Sequence, residues 1–248
     1  MTVVFVHGVP ESAAIWGPLV AELGRDDVVL LSPPGFGAEL PADFPATHAA
    51  YREWLAGELA QFSEPVDLVG HDWGGGHALN VAANHPELLR SWVSDVLGVF
   101  DAEYVWHDMA QVWQTPDAGE EAIAAMMGAP LEERTALSVA LGMTTEVAAA
   151  VAAAQGPDMG RAILALYRSA AQPHLSELSA ELGNVTARPG LSVLATEDHY
   201  VGTDEMRLRA AQRAGARTEV LDGLGHWWML EDPLRGAEML TRFWGALG

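Results

Sequence analysis

The chain alternates between short continuous apolar runs and longer segments in which apolar residues recur every three or four positions. A run of four to six β-branched and aliphatic residues is typical of a strand buried on both faces, and the longer recurrence is typical of an amphipathic helix. Helical segments follow most of the runs, so the pattern predicts an α/β protein with a mostly parallel sheet. The predicted strands number about six and lie at residues 2–6, 28–31, 66–70, 92–97, 191–195 and 218–221.

This alternation stops after Gly98. From residue 99 to residue 183 no strand is predicted, and Ala-, Met- and Leu-rich helical segments are separated by X-Pro pairs that end at Pro116, Pro130 and Pro157. We therefore predict a core made of residues 1–98 and 184–248, into which residues 99–183 insert as a helical cap (lid).

Composition narrows the class of protein. A chain of 248 residues with 50% hydrophobic content can bury a full core. Cysteine is absent, which excludes disulfides and thiolate metal ligands, and a net charge of −21 argues against nucleic acid and anionic membranes as partners. No apolar run approaches the roughly 18 residues of a membrane helix, and no basic leader precedes the first strand. The expectation is a soluble cytoplasmic protein.

The segment Gly70-His71-Asp72-Trp73-Gly74 connects the third predicted strand to a helix. It has the frame of a nucleophile elbow, G-x-S-x-G, with aspartate in place of serine. Its glycines allow a strained turn that holds Asp72 exposed at the tip, where a carboxylate can attack an electrophilic carbon and form an ester. The alternative is a Gly-rich helix start at which the helix dipole favours an anionic residue.

Two later segments favour the nucleophile interpretation. Asp198 follows the strand at 191–195, and His226 lies after the last strand, before a helix that Asp232 caps and Pro233 begins. Nucleophile, acid and base then occur in the chain order of an α/β-hydrolase triad.

The chain resembles a known superfamily over essentially its whole length. The segment Gly70-His71-Asp72-Trp73-Gly74-Gly75 resembles the nucleophile motif shared by epoxide hydrolases and haloalkane dehalogenases. The segments His7-Gly8-Val9-Pro10-Glu11-Ser12 and Gly225-His226-Trp227 resemble epoxide hydrolases more closely. The resemblance implies the α/β-hydrolase fold, although family members commonly have two strands before the His-Gly strand on which this chain starts.

The resemblance also implies roles for individual residues. Asp72 would be the nucleophile, His226 would activate water, and Asp198 would orient His226. The backbone N–H groups of Val9 and Trp73 would form the oxyanion hole.

Epoxide hydrolases also use two cap side chains that donate hydrogen bonds to the epoxide oxygen. Tyr167 matches one of them; the second is His107 or Tyr104, with His107 preferred, and Trp106 is a further substrate-binding candidate. The implied partner is a small, uncharged epoxide. No cofactor or metal is expected, because the chain has neither a His-Glu-x-x-His arrangement nor a phosphate-binding loop, and it lacks lysine.

Other functions remain open. Haloalkane dehalogenases use the same triad with two N–H donors for the halide, which Trp73 and either Trp106 or Trp113 would supply, but Val9 stands where many of them have asparagine. Fluoroacetate-type dehalogenases share Trp106-His107 but place arginines after the nucleophile. A binding protein that kept the pocket and lost turnover is the alternative from another class. Serine esterase chemistry is discounted because residue 72 is aspartate.

Overall fold

The computed structural model describes residues 1–171, 179–180 and 182–248. The described strands form one sheet, parallel at every pairing, in the order β2-β1-β3-β4-β5-β6. The strands are β1 (Val3–Val6), β2 (Val28–Leu31), β3 (Val66–Gly70), β4 (Leu89–Ser94), β5 (Gly190–Ala195) and β6 (Arg217–Leu221). This confirms the predicted α/β-hydrolase fold class.

The prediction for β4 was displaced by three residues. The strand begins at Leu89 and ends at Ser94, because the apolar residues that follow it form a 3-10 helix (Leu97–Phe100) instead of extending the sheet. A buried 3-10 turn and a buried strand both give a continuous apolar run, so periodicity alone does not separate them.

Helices cover both faces of the sheet. Alternate residues of β1 point to opposite faces: Val3 and Phe5 join one apolar cluster, and Val4 and Val6 join the other. The flanking helices are α1 (Gly17–Leu23), α2 (His48–Leu59), α3 (Trp73–Asn84), α9 (Asp204–Arg213), α10 (Trp228–Glu231) and α11 (Pro233–Gly245). The first cluster includes residues from α1, α10 and α11, and the second includes residues from α2, α3 and α9.

The segment between β4 and β5 is helical wherever it has regular structure beyond the Leu97–Phe100 turn, in the part of it that the structure describes. Its helices are α4 (Asp108–Gln114), α5 (Ala118–Gly128), α6 (Leu131–Ala140), α7 (Thr145–Ala154) and α8 (Pro157–Ser169). Helices α4, α5 and α8 pack on one another, and α6 packs on α7. Helix α7 also contributes Val147 and Val151 to the core cluster that contains Trp16.

The limits of the cap drawn from the sequence, residues 99 and 183, stay a prediction. Residues 172–178 and 181 of that segment lie outside the described residues. On its C-terminal side, Leu182 and Val185 pack in the core cluster that contains α3. Among the described helices, none combines the length and apolar character required to cross a membrane.

Candidate active site

The turn between β3 and α3 holds Asp72 in a strained conformation. Its φ of 48° and ψ of −126° lie outside the regions that non-glycine residues ordinarily adopt. The Asp72 backbone N–H donates to Oδ1 of Asp95 at 3.0 Å. A Cβ on Gly74 would lie 2.2 Å from the carbonyl oxygen of Val6, so the helix after the turn approaches β1 as closely as only glycine allows. The predicted elbow geometry is therefore present.

Two backbone N–H groups hold the Asp72 carboxylate. Val9 N–H donates to Oδ1 at 2.9 Å, and the Trp73 N–H forms a second hydrogen bond to this side chain. These are the two groups assigned to the oxyanion hole from the sequence. The carboxylate is half-buried rather than exposed as predicted, because cap residues close over the elbow. Burial raises the pKa of Asp72 to about 6, against the opposing charges of His226 and His71.

Asp198 and His226 meet as the sequence order predicts. His226 Nδ1 lies 2.9 Å from Oδ2 of Asp198, and both side chains are buried. Burial disfavours the charged form of both groups, but the attraction between their opposite charges outweighs burial. The pKa of Asp198 therefore falls to about 2, and the pKa of His226 rises above its ordinary value of 6.5. Since Nδ1 faces a carboxylate, it carries the proton, and Nε2 is left as the basic nitrogen.

A second buried ionic network lies behind the nucleophile. His71 contacts Oδ2 of Asp95 through Nδ1 at 2.5 Å and Oε1 of Glu11 through Nε2 at 3.2 Å. Burial disfavours a charged imidazole, but the two carboxylates outweigh it and hold the pKa of His71 well above its ordinary value. The indole N–H groups of Trp227 and Trp228 donate to Glu11 and Asp95 at 2.5 and 2.8 Å. The His71 imidazolium is thus fully paired.

Sequence reasoning missed this network. The available signal was position: Glu11, His71 and Asp95 each follow the carboxyl end of one of three adjacent strands, β1, β3 and β4. Glu11, His71 and His226 also place one ligand-type atom each within 4.8 Å of one another. Metal binding would require a deprotonated His71. The two carboxylates bonded to it favour the charged form, so the contacts fit an ion-pair network better than a metal centre.

Tyr167 and His107 of the cap line the same cavity as Asp72 and His226. The Tyr167 ring packs edge-on against Trp73 at 5.2 Å, and burial raises its pKa well above the ordinary value, so the hydroxyl keeps its proton. His107 caps α4: its Nδ1 accepts from the N–H of Ala110 at 3.2 Å. Burial lowers the pKa of His107, and in the neutral ring with Nδ1 accepting, Nε2 carries the proton. Both side chains are therefore neutral donors.

The substrate-binding predictions for Tyr104 and Trp106 need correction. The Tyr104 hydroxyl donates to the backbone carbonyl of Tyr200 at 2.8 Å, and the Trp106 indole donates to that of Ala170 at 3.4 Å. Neither residue lines the cavity. Both are buried, and Trp106 stacks on Trp73 at 5.7 Å, so these rings support the wall behind the site.

The cavity has a volume of about 620 Å³, within the usual range for sites that enclose small organic molecules. Its polar side chains include those at the elbow, the two cap donors and three on α6, which contributes Glu133, Arg134 and Ser138. The remaining wall is mainly apolar and includes Trp113, Met126, Leu137, Met143 and Val151. Such a wall favours a largely apolar ligand by the area that it removes from water.

Comparison with known protein families identifies the family of this chain. The model of the alpha/beta hydrolase family matches residues 3–238, which is nearly the whole chain. The chain belongs to this family. It is a hydrolase of the α/β type, and the triad order found in the sequence is the order expected of an α/β hydrolase.

The relatives of this α/β hydrolase are named for different substrates. The 2-hydroxymuconate semialdehyde hydrolase of Pseudomonas putida is 24% identical over 215 residues, which cover 84% of this chain and 73% of that protein. Among solved structures, a Pseudomonas aeruginosa protein provisionally named an epoxide hydrolase superposes with a TM-score of 0.79 at 19% identity, covering 99% of this chain and 88% of the other. The haloalkane dehalogenase DbeA of Bradyrhizobium elkani gives 0.73 at 18% identity, with 99% and 91% covered. These structural similarities show the fold alone.

Proposed function

We propose that this α/β hydrolase opens an epoxide to a vicinal diol through a covalent ester on Asp72. The observation that carries the proposal is the carboxylate at the elbow in one cavity with Tyr167 and His107, two neutral hydrogen-bond donors. A carboxylate nucleophile forms an alkyl ester by displacement at carbon. Neutral donors suit a leaving oxygen that stays attached to the substrate and gains negative charge.

In the first step, a carboxylate oxygen of Asp72 attacks an epoxide carbon from the side opposite the C–O bond. That bond breaks, and the epoxide oxygen takes its electron pair. Tyr167 and His107 donate hydrogen bonds to this oxygen, which takes up one proton from solvent and becomes a hydroxyl. The product of this step is a hydroxyalkyl ester on Asp72. The hydrogen bond from the Val9 N–H holds the carboxylate in place for the attack.

In the second step, His226 removes a proton from a water molecule that attacks the ester carbonyl carbon. Asp198 keeps Nδ1 protonated, so that Nε2 acts as the base. The Val9 and Trp73 N–H groups, which hydrogen-bond the resting carboxylate, are placed to stabilise the tetrahedral oxyanion. Each such donor contributes about 3 kcal/mol to catalysis in comparable sites. The bond from the tetrahedral carbon to the ester oxygen then breaks, and His226 returns its proton to that oxygen, so that the diol leaves. The Asp72 carboxyl group formed in this way gives one proton to solvent and is restored as the carboxylate.

Haloalkane dehalogenation is the second candidate, favoured by Trp113. This residue lines the cavity, and its indole nitrogen has no acceptor within the described residues. Against it, the Trp106 indole is bonded to the Ala170 carbonyl, and the Trp73 indole is hydrogen-bonded to Tyr167. The epoxide proposal uses the cap donors as they stand, whereas a halide site would require these indoles to change partners.

Trapping the ester tests both candidates. His226→Gln should block the second step, so brief mixing with styrene oxide should add the whole mass of the epoxide to the protein. Brief mixing with 1-bromohexane should instead add an alkyl group without bromine if the protein is a dehalogenase. Intact-mass spectrometry separates the two adducts.

The control is the double variant His226→Gln, Asp72→Asn, which lacks the nucleophile and should gain no mass from either reagent. An adduct that persists in the double variant would place the reaction at another residue. A folded His226→Gln protein that gains no mass from a panel of epoxides and haloalkanes would contradict both candidates and favour a binding protein.

A further inference from the structure

The cap wall of the cavity holds a charged side chain that the proposed chemistry does not use. Arg134, in α6, lines the cavity together with apolar residues of the same wall, among them Leu137 and Leu141. Among the described residues that line this cavity, it is the one arginine. Because the chain contains no lysine, arginine is the residue type whose side chain stays positively charged at neutral pH.

Arg134 differs from most arginines of the protein in its partners. Its Nη1 donates to the carbonyl of Met127 at 2.7 Å, its Nε is buried without a partner, and it forms no ion pair within the described residues. Eight other arginines pair with a carboxylate: Arg25, Arg52, Arg90, Arg161, Arg168, Arg207, Arg209 and Arg242. In a chain with 34 acidic residues and 13 arginines, an unpaired and half-buried guanidinium at a cavity wall has donor capacity left for a ligand.

We infer that Arg134 binds a carboxylate carried by the substrate, whose apolar body spans the cavity and whose epoxide lies at Asp72. The position of the epoxide at Asp72 rests on the proposed function, whereas the binding of the carboxylate by Arg134 does not depend on it. Guanidinium groups bind carboxylates through paired, charge-assisted hydrogen bonds, and partial burial strengthens them. The apolar wall accommodates an alkyl chain between the two ends. The substrate class is therefore an epoxide of an alkyl carboxylic acid, rather than the wholly uncharged epoxide expected from the sequence.

The strong negative charge of the protein does not exclude such a substrate. Charges farther away than about 8 Å are largely screened at physiological salt, so the groups next to the carboxylate decide its binding. Glu133 also lines the cavity and would oppose an anion nearby. It is exposed and precedes Arg134 on α6, which provides a matched control of opposite charge on the same helix.

The subsite can be tested without turnover. Calorimetric titration measures the binding of decanoate and of its methyl ester to the Asp72→Asn protein. The same titrations are made with that protein carrying, in addition, Arg134→Gln, Arg134→Lys or Glu133→Gln. Arg134→Gln should weaken decanoate about ten-fold more than the ester, which corresponds to about 1.4 kcal/mol. Arg134→Lys should recover part of that loss, and Glu133→Gln should not weaken decanoate. Equal losses for acid and ester, or no preference for the acid before substitution, would overturn the inference.

A turnover experiment separates failure of the subsite from failure of the proposed function. The substrates are 9,10-epoxydecanoate and its methyl ester, with kcat/KM measured for proteins that retain Asp72. A ten-fold loss on Arg134→Gln for the acid alone supports the inference. If both substrates give diol without dependence on Arg134, the inference fails and the function stands. If decanoate binding depends on Arg134 but neither epoxide is opened, the subsite stands and the epoxide chemistry fails.

Discussion

Two pKa shifts at the elbow separate the pH ranges of the two proposed steps. Burial raises the pKa of Asp72 to about 6, and Asp72 must be ionised to attack. Asp198 raises the pKa of His226 above 6.5 despite burial, and His226 must be neutral to accept a proton from water. As the pH falls, the second step is therefore lost first, and the first step is lost only near pH 6.

We predict that the ester on Asp72 accumulates in the pH interval between these two pKa values. There Asp72 is still ionised while His226 is protonated, so the ester forms faster than it is hydrolysed. Acid quenching during turnover, followed by intact-mass spectrometry across the neutral range, measures the ester fraction. Esterification removes the charge of Asp72, which helps to raise the pKa of His226, so the interval should be narrower than the free protein implies. An ester fraction that does not change with pH would contradict the assignment.

Glu11 supports the elbow through a buried charge rather than through chemistry. Glu11→Gln should lower the free energy of unfolding by about 3 kcal/mol, because it leaves the buried His71 imidazolium with one carboxylate fewer. The pKa of Glu11 is depressed from 4.5 to about 2 despite burial, chiefly by His71. Its contribution should be complete above pH 4.5 and disappear as the pH falls towards 2. Urea unfolding of both proteins at several pH values measures this difference.

The matched control is an ion pair on the surface. Asp158 lies 2.8 Å from Arg161, and both side chains are more than half exposed. Asp158→Asn should change the free energy of unfolding by less than about 1 kcal/mol, because water and salt screen the pair. Equal effects of the two substitutions would show that the Glu11 network is no more stabilising than a surface pair.

At the scale of single elements, the start of α3 tolerates little change in side-chain size. Gly74→Ala should unfold or strongly destabilise the protein, because the added Cβ would lie 2.2 Å from the Val6 carbonyl oxygen and force α3 away from β1. Gly57→Ala in α2 is the control: no other group lies within 4 Å of its Cβ position, and alanine favours a helix interior by up to about 1 kcal/mol. Thermal unfolding should therefore shift in opposite directions. Two similar shifts would contradict the close approach at Gly74.

Element ends were predictable where a side chain bonds the local backbone. Thr47, Thr203 and Asp232 accept hydrogen bonds from the first turns of α2, α9 and α11, as their residue types predict. The end of β4 was not predictable in this way, because buried apolar residues continue past Ser94 into the 3-10 turn. The start of α3 at Trp73 was also not evident, because glycine-rich sequence hides the beginning of a helix.

At the scale of the whole molecule, charge is strongly unbalanced. With 34 acidic and 13 basic residues, self-repulsion should lower stability at low ionic strength. Raising sodium chloride to about 0.15 M, where the screening length is about 8 Å, should raise the melting temperature. Calorimetric scans in sodium chloride and in potassium chloride should agree, since screening does not depend on the cation. A melting temperature that falls or stays constant would show that surface ion pairs outweigh the repulsion.

The sequence by itself determined the strands, most of the helices and the chain order of Asp72, Asp198 and His226. These follow from local rules: periodicity reports which faces are buried, and glycine, proline and capping residues report where elements end. The carboxyl ends of parallel strands share one edge of the sheet, so the order of the motifs also placed them near one another. The named roles of these residues remain proposals.

Only the tertiary structure decided which polar atoms of distant segments meet. Glu11, His71 and Asp95 form one network across three strands, whereas Tyr104 donates to a backbone carbonyl and does not line the cavity. Arg134 looks in the sequence like any solvated helical arginine. The reason is physical: such contacts depend on the rotation and packing of whole elements, which a local pattern of apolar and polar residues leaves free.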